Sequence, residues 1–352
     1  MTIIASLLTA LAVGLQEPET FTVFSPNDST DHYANGVVLT VFKDTLYCMW
    51  QSSPTNEDSD DTWVAYSRSA DEGQTWSRPI ALAIPNDTAY CTSGGWIVRG
   101  DTLTALIDIW PKGLTPRGGY TYYMCSTDGK TWNQAQPVLM ADGTPMCGVL
   151  EQAPYPMADG RIVGACHFQP GLHVCPVYTD DPTGHGGWHR TNFHDEDRGP
   201  QSRCLEPSQY VTHDGTIVML FRDQGSSFRK MAAVSTDRGE TWTSPMVTDI
   251  PDARTKQCAG NLPDGTAFMV SCPSGTKERW PLVLQLSHDG HTFSQRILLR
   301  SVLELPPRRY EGKAKTLGYS YPKAMVHNGK LYVSYSVNKE EVAVTRLPLG
   351  TE

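Results

Sequence analysis

The chain has 352 residues, 39% of them hydrophobic and 19% charged, with a net charge of −9. That composition excludes collagen, a coiled coil and a wholly disordered chain. The acidic balance and the lack of any Lys/Arg run argue against a nucleic-acid partner, which needs cations spaced along a phosphate backbone.

Residues Ile3 to Leu15 open the chain with an apolar stretch too short to span a bilayer. With Ala12-Val13-Gly14 as a small-residue cleavage site, residues 1–15 read as a signal peptide. The mature protein, 16–352, is then expected to be secreted, periplasmic or at the cell surface. No later stretch approaches the ~18 apolar residues of a membrane span. Gly 30, Pro 25, Trp 9 and Tyr 15 favour short strands and turns over long helices.

From residue 43 onward the chain repeats itself. A tight turn leading into an apolar strand occurs at Lys43-Asp44, Arg99-Gly100, Asp159-Gly160, Asp214-Gly215, Asp264-Gly265 and Asn328-Gly329. A second pattern, S-x-D-x-G-x-T-W, occurs at Ser69–Trp76 and Ser235–Trp242. It recurs, shortened by one residue, at Ser126–Trp132 and Ser287–Phe293. A worn copy lies at Thr179-Asp180-Asp181 with Gly187-Trp188. In these turns the Asp accepts from backbone N–H groups, Gly supplies φ > 0 and Trp packs between sheets. Six copies at a period near 50, with four short strands each, predict an all-β, six-bladed propeller forming one domain. The nine cysteines show neither C-x-x-C pairs nor metal-ligand spacing, and their odd number leaves at least one free. No metal or other cofactor is expected.

The repeat also predicts where chemistry gathers. Residues eight or nine before each hairpin turn, and about seven after it, lie at one end of the ring. The first set comprises Asn35, Thr92, Gln152, Glu206, Lys256 or Gln257, and Tyr321; the second includes Gln51, Asp108, His167 and Arg222. The third strand of each blade starts at the same end, which adds Asp61 and Arg279. These polar groups converge on one axial pocket.

The S-x-D-x-G-x-T-W turns resemble the Asp-boxes of the sialidase (neuraminidase) superfamily, over roughly residues 30 to 348. Glu206 and Arg222, sixteen apart and followed by a box, resemble the glutamate that partners a tyrosine nucleophile and one arginine of a triad that clamps the substrate carboxylate. Arg279, ahead of the fourth box, resembles the third clamp arginine. Within Gly318-Tyr319-Ser320-Tyr321-Pro322 the resemblance places the nucleophile, Tyr321 by its spacing to the last turn, with Tyr319 as the alternative. Asp61, eight residues before the first box, matches the general acid/base, with Asp58 and Asp60 as alternatives. One position departs from the family. Where an arginine opens the triad, this chain has Tyr33-Ala34-Asn35-Gly36. Arg308 and Arg309, or Lys256 and Lys323, are candidates to fill that gap.

The resemblance therefore implies a monomeric, retaining exo-α-sialidase-like glycoside hydrolase. It would release terminal sialic acid, or a related 2-keto-3-deoxy sugar acid, from sialylated or other acidic glycans. Asp61, Tyr321 and Glu206 would be catalytic. Arg222, Arg279, Asn35, Gln152, Gln257, Tyr319 and His167 would bind substrate. A non-catalytic glycan-binding propeller, and a propeller lyase or glycosidase for another acidic sugar, are the alternative readings.

Overall fold

The structure, a computed structural model, describes residues 17–150, 152–194 and 204–350. The expected signal peptide lies outside the described residues. The rest is a ring of six antiparallel sheets, the six-bladed propeller that the repeats predict.

Blade 1 is built from Tyr33–Phe42, Thr45–Ser53, Trp63–Ser69 and Ile80–Ala83. Blades 2, 4 and 5 repeat this order with inner strands Ala89–Arg99, Cys204–Val211 and Cys258–Asn261. In blade 3 the inner strand is broken into Gly148–Val149 and Tyr155–Pro156. Blade 6 takes Tyr319–His327, Lys330–Val337 and Glu341–Pro348 from the end of the chain, and Glu19–Phe24 from its start as the outer strand. The ring is thus closed by hydrogen bonds between an early and a late strand of the chain, which complete the fourth strand of blade 6. Inner strands of adjoining blades contact one another around the axis.

The repeated turns take the conformations their residues dictate. Lys43 and Asp44 both adopt positive φ, 48° and 57°, as a two-residue hairpin turn requires. In the first box the Ser69 hydroxyl and the Thr75 N–H donate to Asp71 at 2.7 and 2.9 Å, the Thr75 hydroxyl at 2.6 Å, and the Trp76 indole donates to the Gly73 carbonyl at 2.9 Å. Led by the Thr75 bonds, this set lowers the Asp71 carboxyl to about 2. The worn copy is a working one: Asp181 accepts from Thr183, and Trp188 donates to Gly184.

The core lies between blades. Trp132 from the second box packs edge-on against Tyr66 and tilted against Trp96, each at 5.9 Å. Tyr210 of blade 4 donates across the seam to the Gly290 carbonyl of the fourth box at 2.9 Å. The boxes therefore staple neighbouring blades at the rim opposite the hairpin mouth. Among the described residues, no helix is long and apolar enough to cross a membrane, and no disulfide is present.

Candidate active site

At the mouth, three inner strands break register at the same place. Asn35 pairs Gln51 and Val38 pairs Met49; Leu205 pairs Arg222 and Ser208 pairs Leu220; Ser320 pairs Ser336 and Lys323 pairs Ser334. The first residue of each bulge, Gly36, Glu206 or Tyr321, has φ of 63°, 54° or 57°. Bulges re-aim side chains, and here they turn Glu206 and Tyr321 out of the sheet toward the axis. A non-glycine residue in this region costs roughly 1–3 kcal/mol, so the surroundings must hold it.

For Glu206 the holders are residues that the sequence reading assigned to substrate. The His167 Nε2 accepts the Glu206 N–H at 3.4 Å. The Glu206 carbonyl accepts from Gln152 Nε2 at 3.4 Å and from Gln257 Nε2 at 3.3 Å. Gln257 also donates to the Leu220 carbonyl at 2.8 Å and accepts from Lys230 at 2.7 Å. Gln152, His167 and Gln257 are all buried, with Gln152 Nε2, His167 Nε2 and Gln257 Nε2 bonded to the Glu206 backbone. Together they cradle the Glu206 backbone. Thr92 accepts from Trp110 within its own blade, and Asp108 accepts from Thr121 of its own blade and from the Leu150 N–H of the next.

The Glu206 carboxylate meets Arg222 Nη1 at 3.0 Å. Burial alone would raise its pKa, but the Arg222 and Lys256 charges outweigh burial and hold it well below the ordinary carboxylate range. Arg222 Nη1 also lies 3.5 Å from the Tyr321 hydroxyl, to which it can donate. Burial, then the Glu206 and Glu57 charges, push the Tyr321 phenol well above its usual value, against Arg222 and Arg279. Tyr321 is therefore a neutral phenol beside an ionised carboxylate.

Cations ring that phenol. Lys256 Nζ lies 4.7 Å from the Tyr321 ring centroid, Lys339 Nζ 5.4 Å and Arg279 Cζ 5.6 Å. Arg279 is buried, and its Nη1 donates to the Ser320 hydroxyl at 2.8 Å. The structure thus brings together Glu206, Tyr321, Arg222 and Arg279. It adds Lys339 and Glu57, which the sequence reading missed. Both sit on loops between second and third strands, the position that pointed to Asp61 and Arg279, so the same rule applied to blade 6 finds Lys339.

The other expected residues are more scattered. Tyr319 is fully buried, donates to the Ser301 carbonyl at 2.8 Å and packs edge-on against Tyr335, so it belongs to the core and not to the mouth. The bulge after Ser320 is the reason, because it breaks the alternation that would put Tyr319 and Tyr321 on one face. Asp61 is exposed and accepts from the Ser59 hydroxyl. Asp58 pairs with Arg117 at 2.8 Å, and Asp60 is exposed on the same turn. Asn35 is at the mouth, buried, donating to Glu57 at 3.3 Å. Arg308 and Arg309 do not fill the vacant position. They pair with Glu311 and Glu341, each at 2.8 Å. Lys323 is buried near Cys258, past the bulge. Among the described residues no group of three or more His, Cys, Asp or Glu side chains is arranged to hold a metal ion.

Residues 44–333 match the model of the BNR repeat-like domain. The structure superposes on a protein of unknown function from Dyadobacter fermentans DSM 18053 with a TM-score of 0.75 and 17% identity, over 96% of this chain and all of that one. It superposes on a Hadza microbial sialidase with a TM-score of 0.72 and 16% identity, over 93% of this chain and 68% of that one. For a Trypanosoma rangeli sialidase in complex with sialic acid the values are 0.64 and 14%, over 94% and 59%. No curated protein matches the sequence. Structural likeness at such identities speaks to the fold, and the family match carries the assignment. This chain belongs to the BNR repeat-like domain family and is built as a sialidase-type six-bladed propeller.

Proposed function

We propose that the mouth is the active site of an exo-α-sialidase-like hydrolase that acts on a terminal sialic acid or a related 2-keto sugar acid. The observation that carries this reading is the contact of one half-buried arginine, Arg222, with both Glu206 and Tyr321, inside a ring of cations. The sialidases among the structural neighbours, one of them holding sialic acid, support it at the level of fold.

The groups suit a sugar whose anomeric carbon bears a carboxylate. Arg222 and Arg279 offer planar donor forks that pair bidentately with that carboxylate. A carboxylate nucleophile would repel it, whereas the neutral Tyr321 does not. Tyr321 Oη attacks the anomeric carbon as its proton passes to Glu206, and the glycosidic C–O bond breaks. The departing oxygen takes a proton from the acidic loop between the second and third strands of blade 1, where Asp61 is the proposed donor. Water then gives its proton back to that carboxylate and adds to the anomeric carbon. Tyr321 leaves, recovers its proton from Glu206, and the configuration is retained.

One observation favours a second reading. Asp61 is exposed and bonded to Ser59, so the mouth can bind an acidic glycan without a proton donor in place. Turnover of a fluorogenic sialoside by pure protein separates the two. Hydrolysis that Tyr321→Phe abolishes supports the enzyme. Binding of sialic acid without turnover supports the glycan-binding propeller.

A further inference from the structure

We propose that Lys339 is the third cation of the carboxylate clamp, delivered by blade 6 into the place where the family resemblance puts an arginine on blade 1. This rests on the proposed function and specifies how its anion site is completed.

The placement follows from ring closure. Lys339 is the middle residue of the turn Asn338-Lys339-Glu340, which joins Lys330–Val337 to Glu341–Pro348. The Ala34 N–H donates to the Lys339 carbonyl at 3.1 Å, so this turn is tied to the inner strand of blade 1 one residue before Asn35. Asn35 and Lys339 then meet on one acceptor. Glu57 Oε1 takes Asn35 Nδ2 at 3.3 Å, Lys339 Nζ at 2.7 Å and the Tyr33 hydroxyl at 2.9 Å, while Oε2 takes Lys339 Nζ at 2.6 Å. The vacancy left by a neutral Asn35 is therefore filled from a residue 304 positions away, with a carboxylate as its holder.

The turn is pinned on both sides of the lysine. Asn338 accepts from the Gly318 N–H at 2.9 Å and donates to the Pro306 carbonyl at 2.9 Å. Glu340 accepts from the Arg309 and Tyr310 N–H groups at 3.0 and 2.8 Å and from Lys315 at 3.2 Å. Lys339 holds φ at 56° within this frame. Its ammonium lies 5.4 Å from the Tyr321 ring, close enough to Arg279 for that like charge to oppose its protonation. Cations that repel one another in a buried mouth are stabilised by an incoming anion. Among the described residues, the charged groups around Tyr321 are Arg222, Arg279, Lys256 and Lys339 with Glu206 and Glu57. An ammonium has three donors, and a second carboxylate can share Lys339 with Glu57.

The two partners should then act in opposite directions, which a purely structural ion pair would not do. N-acetylneuraminic acid is titrated calorimetrically into the full chain and into variants whose folding is checked by thermal melting. Lys339→Met should weaken binding at least about tenfold. Lys339→Arg should keep it. Glu57→Gln, which frees the ammonium, should tighten it several-fold. Lys339→Met alone leaves Glu57 uncompensated, so the neutral pair Lys339→Met/Glu57→Gln guards against misfolding; it should melt near the wild type and still bind as weakly as Lys339→Met. Wild-type affinity in that double variant, or weaker binding in a folded Glu57→Gln, overturns the assignment. Arg222→Ala serves as the reference. Its loss of binding with Lys339→Met unaffected leaves the sialidase-like reading standing and removes only Lys339, whereas a wild type that binds no sialic acid removes both.

Discussion

Glu206 and Tyr321 occupy equivalent positions on the inner strands of blades 4 and 6, each the first residue of a bulge and each in left-handed backbone, at φ 54° and 57°. The same irregularity, repeated by the ring, aims a carboxylate and a phenol at one point on the axis. In blade 1 the equivalent residue is Gly36, which has no side chain to aim. The mouth is thus lopsided: chemistry enters from blades 4 to 6, and blade 1 contributes through the loop that carries Glu57.

The bulge separates the roles of the two nearby tyrosines. Tyr321→Phe should lower kcat/KM by roughly 10³-fold or more, since among the described residues no other phenol is bonded into the Glu206–Arg222 pair. Tyr319→Phe should keep activity and cost about 1 kcal/mol, the worth of its hydrogen bond to Ser301. Peptide mapping after treatment with a 3-fluoro sialosyl fluoride should find the label on Tyr321. A label on Tyr319 would contradict the mouth described here.

Glu206 carries a pH signature. Its folded pKa is depressed, so the stability it adds is present above the unfolded glutamate value and drains away as pH falls through the folded one. Glu206→Gln leaves the half-buried Arg222 without its counter-charge and should cost about 2–3 kcal/mol near neutral pH. That difference should narrow below about pH 4. Urea melts of both proteins at pH 7 and pH 3 measure it; a gap that widens on acidification would refute the assigned sign.

Gly318 supports Arg279 by having no side chain. It sits at φ 120°, and an added Cβ would come within 2.6 Å of the Arg279 carbonyl oxygen and 2.7 Å of its Cβ. Gly318→Ala must therefore push Arg279 away from Ser320 and the mouth. The expected result is a stability loss of about 1–3 kcal/mol together with a raised KM for sialosides. A lower Tm with unchanged KM would mean that Arg279 does not contact the substrate.

The clamp should weaken in alkali sooner than one made of arginines alone. Burial lowers the Lys339 pKa, and the Glu57 charge only partly restores it. Affinity for N-acetylneuraminic acid should accordingly fall as pH rises toward 10, and Lys339→Arg should flatten that fall. Calorimetric titration at pH 7, 8.5 and 9.5 checks both. Identical profiles for the two proteins would assign the alkaline loss to another group.

The sequence by itself determined the ring. A box such as Ser69–Trp76 closes within eight residues through bonds among its own Ser, Asp, Thr and Trp. A hairpin turn such as Lys43-Asp44 needs only two residues, so six copies could be counted without knowing how they pack. Glu206, Arg222, Arg279 and Tyr321 were legible through their spacing to those turns. Tertiary structure decided the rest, for two physical reasons. The bulges overturn the two-residue alternation on which facing arguments depend, which sends Tyr319 into the core and leaves the turned Glu206 backbone to be held by Gln152, His167 and Gln257 from other strands and loops. Closure of the ring by the outer strand Glu19–Phe24 sets blade 6 against blade 1, and only then do Asn35 and Lys339 share Glu57, a meeting that local spacing cannot encode.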